Sequence, residues 1–509
     1  MTQTLPDSLA SQARNFPQQP ALVVGTTCQS YCRLWQEARD LSELMRREGL
    51  GAGDRACLLF DHDPQYACAL YAVWLCGAIA VPLNPQATSL EISRVFSHSG
   101  SRLMVSSATM KSLQHILLRP SIRGISTRPD PLPSDSIEWV TWRPPQDEEA
   151  AVAHTQEFPP PDSAAMIVYT SGTTGNPKGI LLSHRNLMVN TRAIVRCLEI
   201  SQQDRVVTSL PFHYCYGNSV LHTHLLVGAT VILGPPLLYP QQFIDALHEH
   251  RATTFPGVPS TFALLLAKSD WALRPVTSLR YVTQAGDAMP AGLRDKVRAA
   301  LGTARFVPMY GQSEAGARLT CLAHPLGSES PESVGYPIPG VRLRICDEQG
   351  NLLPPGSIGE IHARGDNVMV GYWQNEAATR EVFTPDGWLR TGDLGYLDAA
   401  GGLCLEGRRT DMIKSGSHRI NPAEIKEVLL ELEWIEEAEV VGVADELLCE
   451  TIQAVLVCGN HAPDTGAVMR HCRQALPPHK LPRTVVWKES LPRTASGKVI
   501  KHLLRKVAS

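Results

Sequence analysis

An apolar run, Ala164-Ala165-Met166-Ile167-Val168, leads directly into Tyr169-Thr170-Ser171-Gly172-Thr173-Thr174-Gly175-Asn176-Pro177-Lys178-Gly179. Those eleven residues contain three glycines, four serine or threonine hydroxyls and one lysine. The pattern predicts a buried strand running into a flexible loop rich in donors. Glycines let backbone N–H groups turn toward an anion, hydroxyls add further donors, and the lysine brings a mobile positive charge. A phosphate cradle is the expected result. The loop departs from the Walker pattern, because Gly172 and Gly175 have the wrong spacing and no Gly-Lys-Ser/Thr follows. An ordinary strand-to-helix turn has no need of so many donors together with a lysine.

Five more segments follow in a fixed order: Gln284-Ala285-Gly286-Asp287-Ala288, Tyr310-Gly311-Gln312-Ser313-Glu314, Thr391-Gly392-Asp393, Gly407-Arg408-Arg409-Thr410-Asp411 and Pro492-Arg493-Thr494-Ala495-Ser496-Gly497-Lys498. With the loop above, this series resembles the signature of the adenylate-forming (AMP-binding) superfamily of acyl-CoA synthetases, aryl-acid ligases and stand-alone adenylation enzymes. The resemblance covers nearly the whole chain. It implies that an acid is activated with ATP to acyl-AMP, pyrophosphate is released, and the acyl group passes to an acceptor.

The chain has 509 residues, 43% hydrophobic and 19% charged, which suits a soluble globular protein of two or more domains. A net charge of −3 argues against a nucleic-acid partner. The segment Met1–Asp7 has neither a basic start nor an apolar core, so no signal peptide is expected. Thirteen cysteines without CxxC pairs read as reduced thiols, and a cytoplasmic location is expected. The uncharged stretch Tyr66 to Leu83 is long enough to suggest a membrane span, but Gly77 breaks it and Pro82 follows. A buried helix from about Pro64 to Cys76, then a strand from Ala78 to Val81, is predicted instead.

Strand-like runs at Arg55–Phe60, Thr230–Leu233 and Leu279–Thr283 alternate with helical stretches such as Pro240–His250 and Ala291–Leu301. Alternation of this kind predicts an α/β architecture with parallel sheets. The Pro-, Ser- and acid-rich stretch from Ile125 to Pro161 reads as a surface connection. From Val341 two alternating runs flank the turn Asp347–Asn351, which predicts a small β subdomain at about 335–407. After Asp411 an amphipathic helix, Pro422–Leu432, and strands at Glu439–Val443 and Ile452–Val457 suggest a second, α+β domain. The expected organisation is an adenylation domain over 1–407 holding the acyl, ATP and magnesium sites, a hinge at 408–411, and a mobile domain over 412–509.

Roles for individual residues follow from the resemblance. The loop Thr170, Ser171, Gly172, Thr173, Thr174, Gly175 and Lys178 would grip the β- and γ-phosphates. Gly286 and Asp287 would line the adenine with backbone, aspartate being unusual at that position. Tyr310, Gly311, Gln312 and Ser313 would form the nucleotide turn, with Ser313 where threonine is commoner. Glu314 would bind Mg²⁺, because magnesium in nucleotide sites takes one carboxylate plus phosphate oxygens and water. Asp393 would accept the ribose hydroxyls, Arg408 would reach ribose or phosphate, and Lys498 would swing in to bridge the carboxylate and α-phosphate. Catalysis is assigned to Lys498, Glu314, Thr170 and Lys178.

Thr410 takes the hinge position, where the family usually has Asp or Lys. Gly416 and Ser417 occupy the acceptor tunnel, and Ser417 replaces a glycine common in CoA ligases. The loop Leu210–Asn218 matches the acyl-pocket segment, with Tyr214 at the gating aromatic, Gly217 beside it, and Val258, Tyr281, Ala285 and Met309 as further walls. No aspartate lies between Asp204 and Asp245 to pair an α-ammonium, and an unpaired buried ammonium is costly. An aliphatic, alicyclic or aryl acid without an α-amino group is therefore expected. CoA or the phosphopantetheine of a separate carrier protein is the expected acceptor, since the chain has no carrier motif of its own. An amine acceptor is the alternative, and a nucleotide-binding module without turnover is disfavoured by Glu314 and Lys498.

Overall fold

The computed structural model describes residues 3–107, 113, 122–128, 136–145, 157–170, 178–324, 327, 330–408, 412–415, 418–445, 449–459, 461–476, 478–493 and 499–505. Among them the chain forms four sheets, of nine, eight, four and five strands. The two largest are the α/β layers that the alternation predicts. In the nine-stranded sheet, Pro20–Val24, Thr230–Leu233, Arg205–Thr208, Thr254–Gly257, Tyr281–Gln284 and Arg305–Tyr310 run parallel. The eight-stranded sheet has a parallel body from Ala164–Thr170 to Ile137–Thr141. Antiparallel strands close one or both edges, so the sheets are mixed with parallel centres.

Buried strands need apolar residues on both faces, and helix Gln65–Leu75 supplies one of the covering layers. Every residue from Tyr66 to Leu75 in it is buried. Trp74 donates its indole N–H to the Ala165 carbonyl at 2.8 Å, tying this helix to the strand that leads into the glycine-rich loop. A single apolar cluster reaches from this helix to strands of both large sheets, including Leu58, Val168, Val231 and Val307. Among the described residues no helix is long and apolar enough to cross a membrane.

One expectation is overturned. The stretch read as a surface connection contains strand Ile137–Thr141, which pairs in parallel with Ile122–Ser126 and extends the eight-stranded sheet. Ile125 and Ile137 are buried, and Gly124 leaves room for Ile137 and Trp139, whose atoms would lie within 2.5–2.7 Å of a Cβ there. The apolar runs are short among prolines and acids. Ile122–Ser126 adds to the edge of Leu103–Ser106, and Ile137–Thr141, four of whose five residues are strand formers, adds to it in turn. The predicted strand at Leu279–Thr283 also lies two residues later, at Tyr281–Gln284, so the Ala285-Gly286-Asp287 segment begins at the strand's carboxyl end.

The four-stranded antiparallel sheet runs Arg342–Cys346, Gly359–Arg364, Leu389–Leu397 and Leu403–Arg408. The last sheet, built on Glu437–Asp445 and Cys449–Val457, carries helices Pro422–Leu430 and Thr465–Ala475 over a core of its own that includes Ile425, Leu429, Ile452, Leu456, Val468 and Cys472.

Candidate active site

Parallel sheets place loops at the carboxyl ends of their strands, where ligands of open α/β sheets bind. Two of the predicted segments start there. Strand Tyr281–Gln284 runs into Ala285-Gly286-Asp287, with Gly286 at φ +98°, a conformation that favours glycine. The Gln284 side chain donates to the Asp287 carbonyl at 2.8 Å and fixes the turn, and the Asp287 carboxylate accepts from the Ala288 N–H. The next strand, Arg305–Tyr310, runs into Gly311 and a single 3₁₀ turn, Ser313–Ala315. A Cβ on Gly311 would stand 2.0 Å from the Ala317 carbonyl oxygen, so only glycine permits this close backbone crossing. Ala317 itself sits at φ +116°, a strained value for a residue with a side chain.

The four-stranded sheet joins this edge through a buried contact. Tyr310 donates its hydroxyl to Asp393 Oδ2 at 2.6 Å. Asp393 is held by its neighbour: Thr391 Oγ1 accepts from the Asp393 N–H and donates to the Ile361 carbonyl, around Gly392 at φ +72°. Arg408 lies opposite Asp393 in the strand register, and its side chain is outside the described residues.

On the far side of the turn, Tyr372 donates to Glu314 Oε1 at 3.1 Å, and the Lys178 ammonium lies 5.4 Å from the centre of the Tyr372 ring. Burial, with Glu314 close by, pushes the Tyr372 phenol above its ordinary range, so it stays a donor. The hairpin of Ala164–Thr170 and Lys178–Ser183 opposes Thr170 and Lys178 at the mouth of the glycine-rich loop. The Thr170 side chain and Ser171, Gly172, Thr173, Thr174 and Gly175 lie outside the described residues, as do Thr410, Gly416, Ser417 and Lys498.

The expected acyl segment begins at Tyr214, which precedes helix Cys215–Val227. His213 packs on Tyr214 at 4.2 Å between ring centres, and burial holds the His213 imidazole down at about 4, so it is neutral near pH 7. A Cβ on Gly217 would meet the Pro211 carbonyl oxygen at 2.3 Å, which explains why this turn needs glycine. Ser313 Oγ donates to Cys215 Sγ at 3.3 Å, linking this helix to the nucleotide turn. Two cavities flank the helix. One is lined by His213, Cys215, Asn218, Ser219 and Gly316. The other is lined by Tyr216, Ser219, Thr223, Tyr281, Thr283 and Arg318. A Cβ on Gly286 would lie 3.1 Å from Val258 Cγ1, and Ala285 and Met309 are buried at neighbouring strand ends.

Gly286, Asp287, Tyr310 and Glu314 thus lie at the carboxyl ends of strands of the nine-stranded sheet, where Asp393 of the four-stranded sheet and Lys178 of the eight-stranded sheet approach them, whereas Tyr281 opens its strand and faces the cavity of Arg318. Sequence reasoning missed Tyr372 and Arg318, and it named the segment holding Tyr216 without singling that residue out. Tyr372 lies in a two-residue strand outside every segment singled out, and nothing in its neighbours marks it. Arg318 follows Glu314 by four residues, but an arginine is ordinarily read as exposed, and its burial emerges only on folding.

Similarity to known proteins agrees with this arrangement. The family described as AMP-binding enzyme matches residues 9–373, and the AMP-binding enzyme C-terminal domain matches residues 424–498. A sulfoacetate–CoA ligase from Cupriavidus necator is 31% identical over 97% of this chain and 96% of its own. Among solved structures, an o-succinylbenzoate CoA synthetase from Bacillus subtilis bound to its acyl-adenylate intermediate superposes with a TM-score of 0.84, at 28% identity over 100% of this chain and 99% of its own. The same synthetase with ATP and a magnesium ion gives a TM-score of 0.83, at 27% identity over 99% and 100%. The chain belongs to the AMP-binding, adenylate-forming enzymes.

Proposed function

We propose that this enzyme is an acid–CoA ligase that activates a carboxylic acid lacking an α-amino group as acyl-AMP and hands it to the thiol of CoA. The observation that carries the reading is the convergence of Tyr310–Asp393 and Lys178–Tyr372–Glu314 on the two sides of one turn. A nucleotide would lie across that turn. Asp393 accepts its ribose hydroxyls, the Gly286-Asp287 backbone lines its base, and the loop from Thr170 to Lys178 holds its β- and γ-phosphates. Glu314 supplies a single carboxylate. Among the described residues no group of three or more His, Cys, Asp or Glu is placed to hold a metal by itself. Magnesium, which accepts one carboxylate and takes the rest of its shell from phosphates and water, fits that donor set. When bound it supplies neutralisation of phosphate charge.

In the first half-reaction a substrate carboxylate oxygen attacks the α-phosphorus, and the bond to pyrophosphate breaks. The protein's part is to hold the two in line and offset the developing charge. Lys498 bridges carboxylate and phosphate. In the second, the CoA sulfur attacks the acyl carbon, its proton is lost and AMP leaves. Residues 412–509 form the domain that rotates between the two states about Thr410, with Gly416 and Ser417 bordering the thiol's path. Neither cavity beside the acyl helix has an acidic residue in its lining, which supports an acid without an ammonium group.

The test is pyrophosphate release across a panel of carboxylic acids, with CoA, with a phosphopantetheinylated carrier protein and with amines as acceptors. Acid-dependent release and a CoA thioester are expected. An amide from the amine, or thioester on the carrier alone, would replace the CoA assignment.

A further inference from the structure

We propose that Arg318 is the far end of the acyl site and selects short acids that carry a second anionic group, a carboxylate or sulfonate, opposite the carboxylate that is activated. This rests on the ligase reading. Arg318 is 2% exposed, yet among the described residues its guanidinium makes no hydrogen bond or ion pair, and Nε and Nη1 are fully enclosed. A buried cation without a partner is strongly unfavourable, so folding retains it only where the surroundings over-determine it or a ligand completes it. Its one close support is the Tyr216 ring, 4.9 Å beneath the guanidinium, which softens the charge without neutralising it.

The rest of this lining is largely aliphatic, with Ile194, Leu198, Ile200, Val206 and Val220, and holds no carboxylate. Ser219 and Thr223 donate their hydroxyls to the Tyr216 and Val220 carbonyls, which leaves the Thr283 hydroxyl, bonded to the Tyr216 phenol, as the polar group beside Arg318. Titratable neighbours are the phenols of Tyr216 and Tyr281, the His224 imidazole, which burial keeps neutral, and the thiols of Cys197 and Cys321. Free space amounts to about 20 Å³, room for one water, so an entering anionic group takes that water's place and shifts the surrounding side chains. The guanidinium fork is suited to a planar or tetrahedral oxyanion.

Position fits the same use. Ser219 lines both cavities, and the second cavity reaches Cys215, whose sulfur accepts from Ser313 in the nucleotide turn. Tyr216, the residue after Cys215, carries the Arg318 guanidinium 4.9 Å from its ring, and Arg318 follows Ser313 by five residues. An acid whose reacting carboxylate lies near Ser313 would therefore bring a group a few carbons away to Arg318.

The experiment measures CoA-dependent pyrophosphate release by the full chain with succinate, glutarate and adipate, against butanoate, pentanoate and hexanoate. Wild type is expected to prefer a diacid to the monoacid of equal length. Arg318→Gln should lower kcat/KM for that diacid by about 100-fold, the effect of losing charge-assisted hydrogen bonds, and leave the monoacid unchanged or improved. Arg318→Lys should keep the diacid preference with a raised KM and little change in kcat, and it carries the test if the glutamine variant does not fold. A wild-type preference for monoacids, or equal loss on both substrates in a folded variant, overturns the proposal. Turnover confined to other acids, such as benzoate, overturns it while the ligase reading stands. Absence of release with every carboxylic acid overturns the ligase reading itself.

Discussion

Tyr310 and Asp393, 83 residues apart in the chain, meet through a 2.6 Å hydrogen bond that ties the end of a parallel strand to the middle of an antiparallel one. Both side chains are buried, so the contact is shielded from water. It orients the carboxylate assigned to the ribose.

Tyr310→Phe removes the donor while keeping the ring. A hydrogen bond to a charged group contributes roughly 1.5–3 kcal/mol, so KM for ATP should rise about 10- to 100-fold with a smaller change in kcat. Steady-state kinetics with varied ATP decide it, and a KM within twofold of wild type would reduce the pair to a structural tie.

On the other side of the turn, Glu314→Gln should lower ATP–pyrophosphate exchange by roughly 10²–10³, the usual consequence of removing one preorganised charge contact. Tyr372→Phe removes only the hydroxyl that donates to Glu314 and leaves the ring near Lys178, so about a tenfold loss is expected. The reverse ranking would make Tyr372, not Glu314, the group that touches the reacting phosphates.

Lys498→Ala should abolish formation of acyl-AMP by roughly 10²–10³ or more while sparing conversion of supplied acyl-AMP to thioester. Equal loss of both half-reactions would refute domain rotation as the way the two are separated.

Gly311→Ala forces a methyl to within 2.0 Å of the Ala317 carbonyl oxygen and should destabilise the protein by about 1–3 kcal/mol, with loss of adenylation. Gly292→Ala is the control, because an added Cβ there meets nothing within 4 Å, and alanine stabilises a helix by roughly 0.5–1 kcal/mol over glycine. Thermal unfolding of the two variants should move in opposite directions.

Burial depresses five imidazoles: His184 and His222 to about 3, His213 and His224 to about 4, and His62 in the same direction. Their folded values lie below the unfolded value of about 6.5, so the unfolded chain binds protons more readily. Stability is therefore complete above about pH 6.5 and falls as pH drops toward the folded values, by about 1.4 kcal/mol per unit for each histidine. Unfolding midpoints measured from pH 7.5 to 5 should decline, and the decline should be shallower in His222→Phe, which still packs on Trp74. An equal slope in the variant would assign the acid sensitivity elsewhere.

How far the chain could be read before folding depended on whether the signal was local. Ala164–Lys178 declares itself because strand, glycines, hydroxyls and lysine are contiguous, and helix Ala291–Leu301 because its period is complete within eleven residues. The six ordered segments carried the family, and the alternation of strand and helix patterns carried the α/β class. Strand Ile137–Thr141 escaped because five residues, four of them strand formers, are too short a run to stand out in a stretch rich in proline, serine and acids, and pairing with Ile122–Ser126 fixes it.

Sequence by itself thus determined which chemistry-bearing residues exist and in what order, since each motif needs only its immediate neighbours to be legible. Tertiary structure alone decided which of them meet. Tyr372 reaches Glu314 from 58 residues away, Tyr310 reaches Asp393 from 83, and packing encloses Nε and Nη1 of Arg318 without a hydrogen-bond partner among the described residues. Burial and long-range contact are properties of the packed chain as a whole, and no local window of residues contains them.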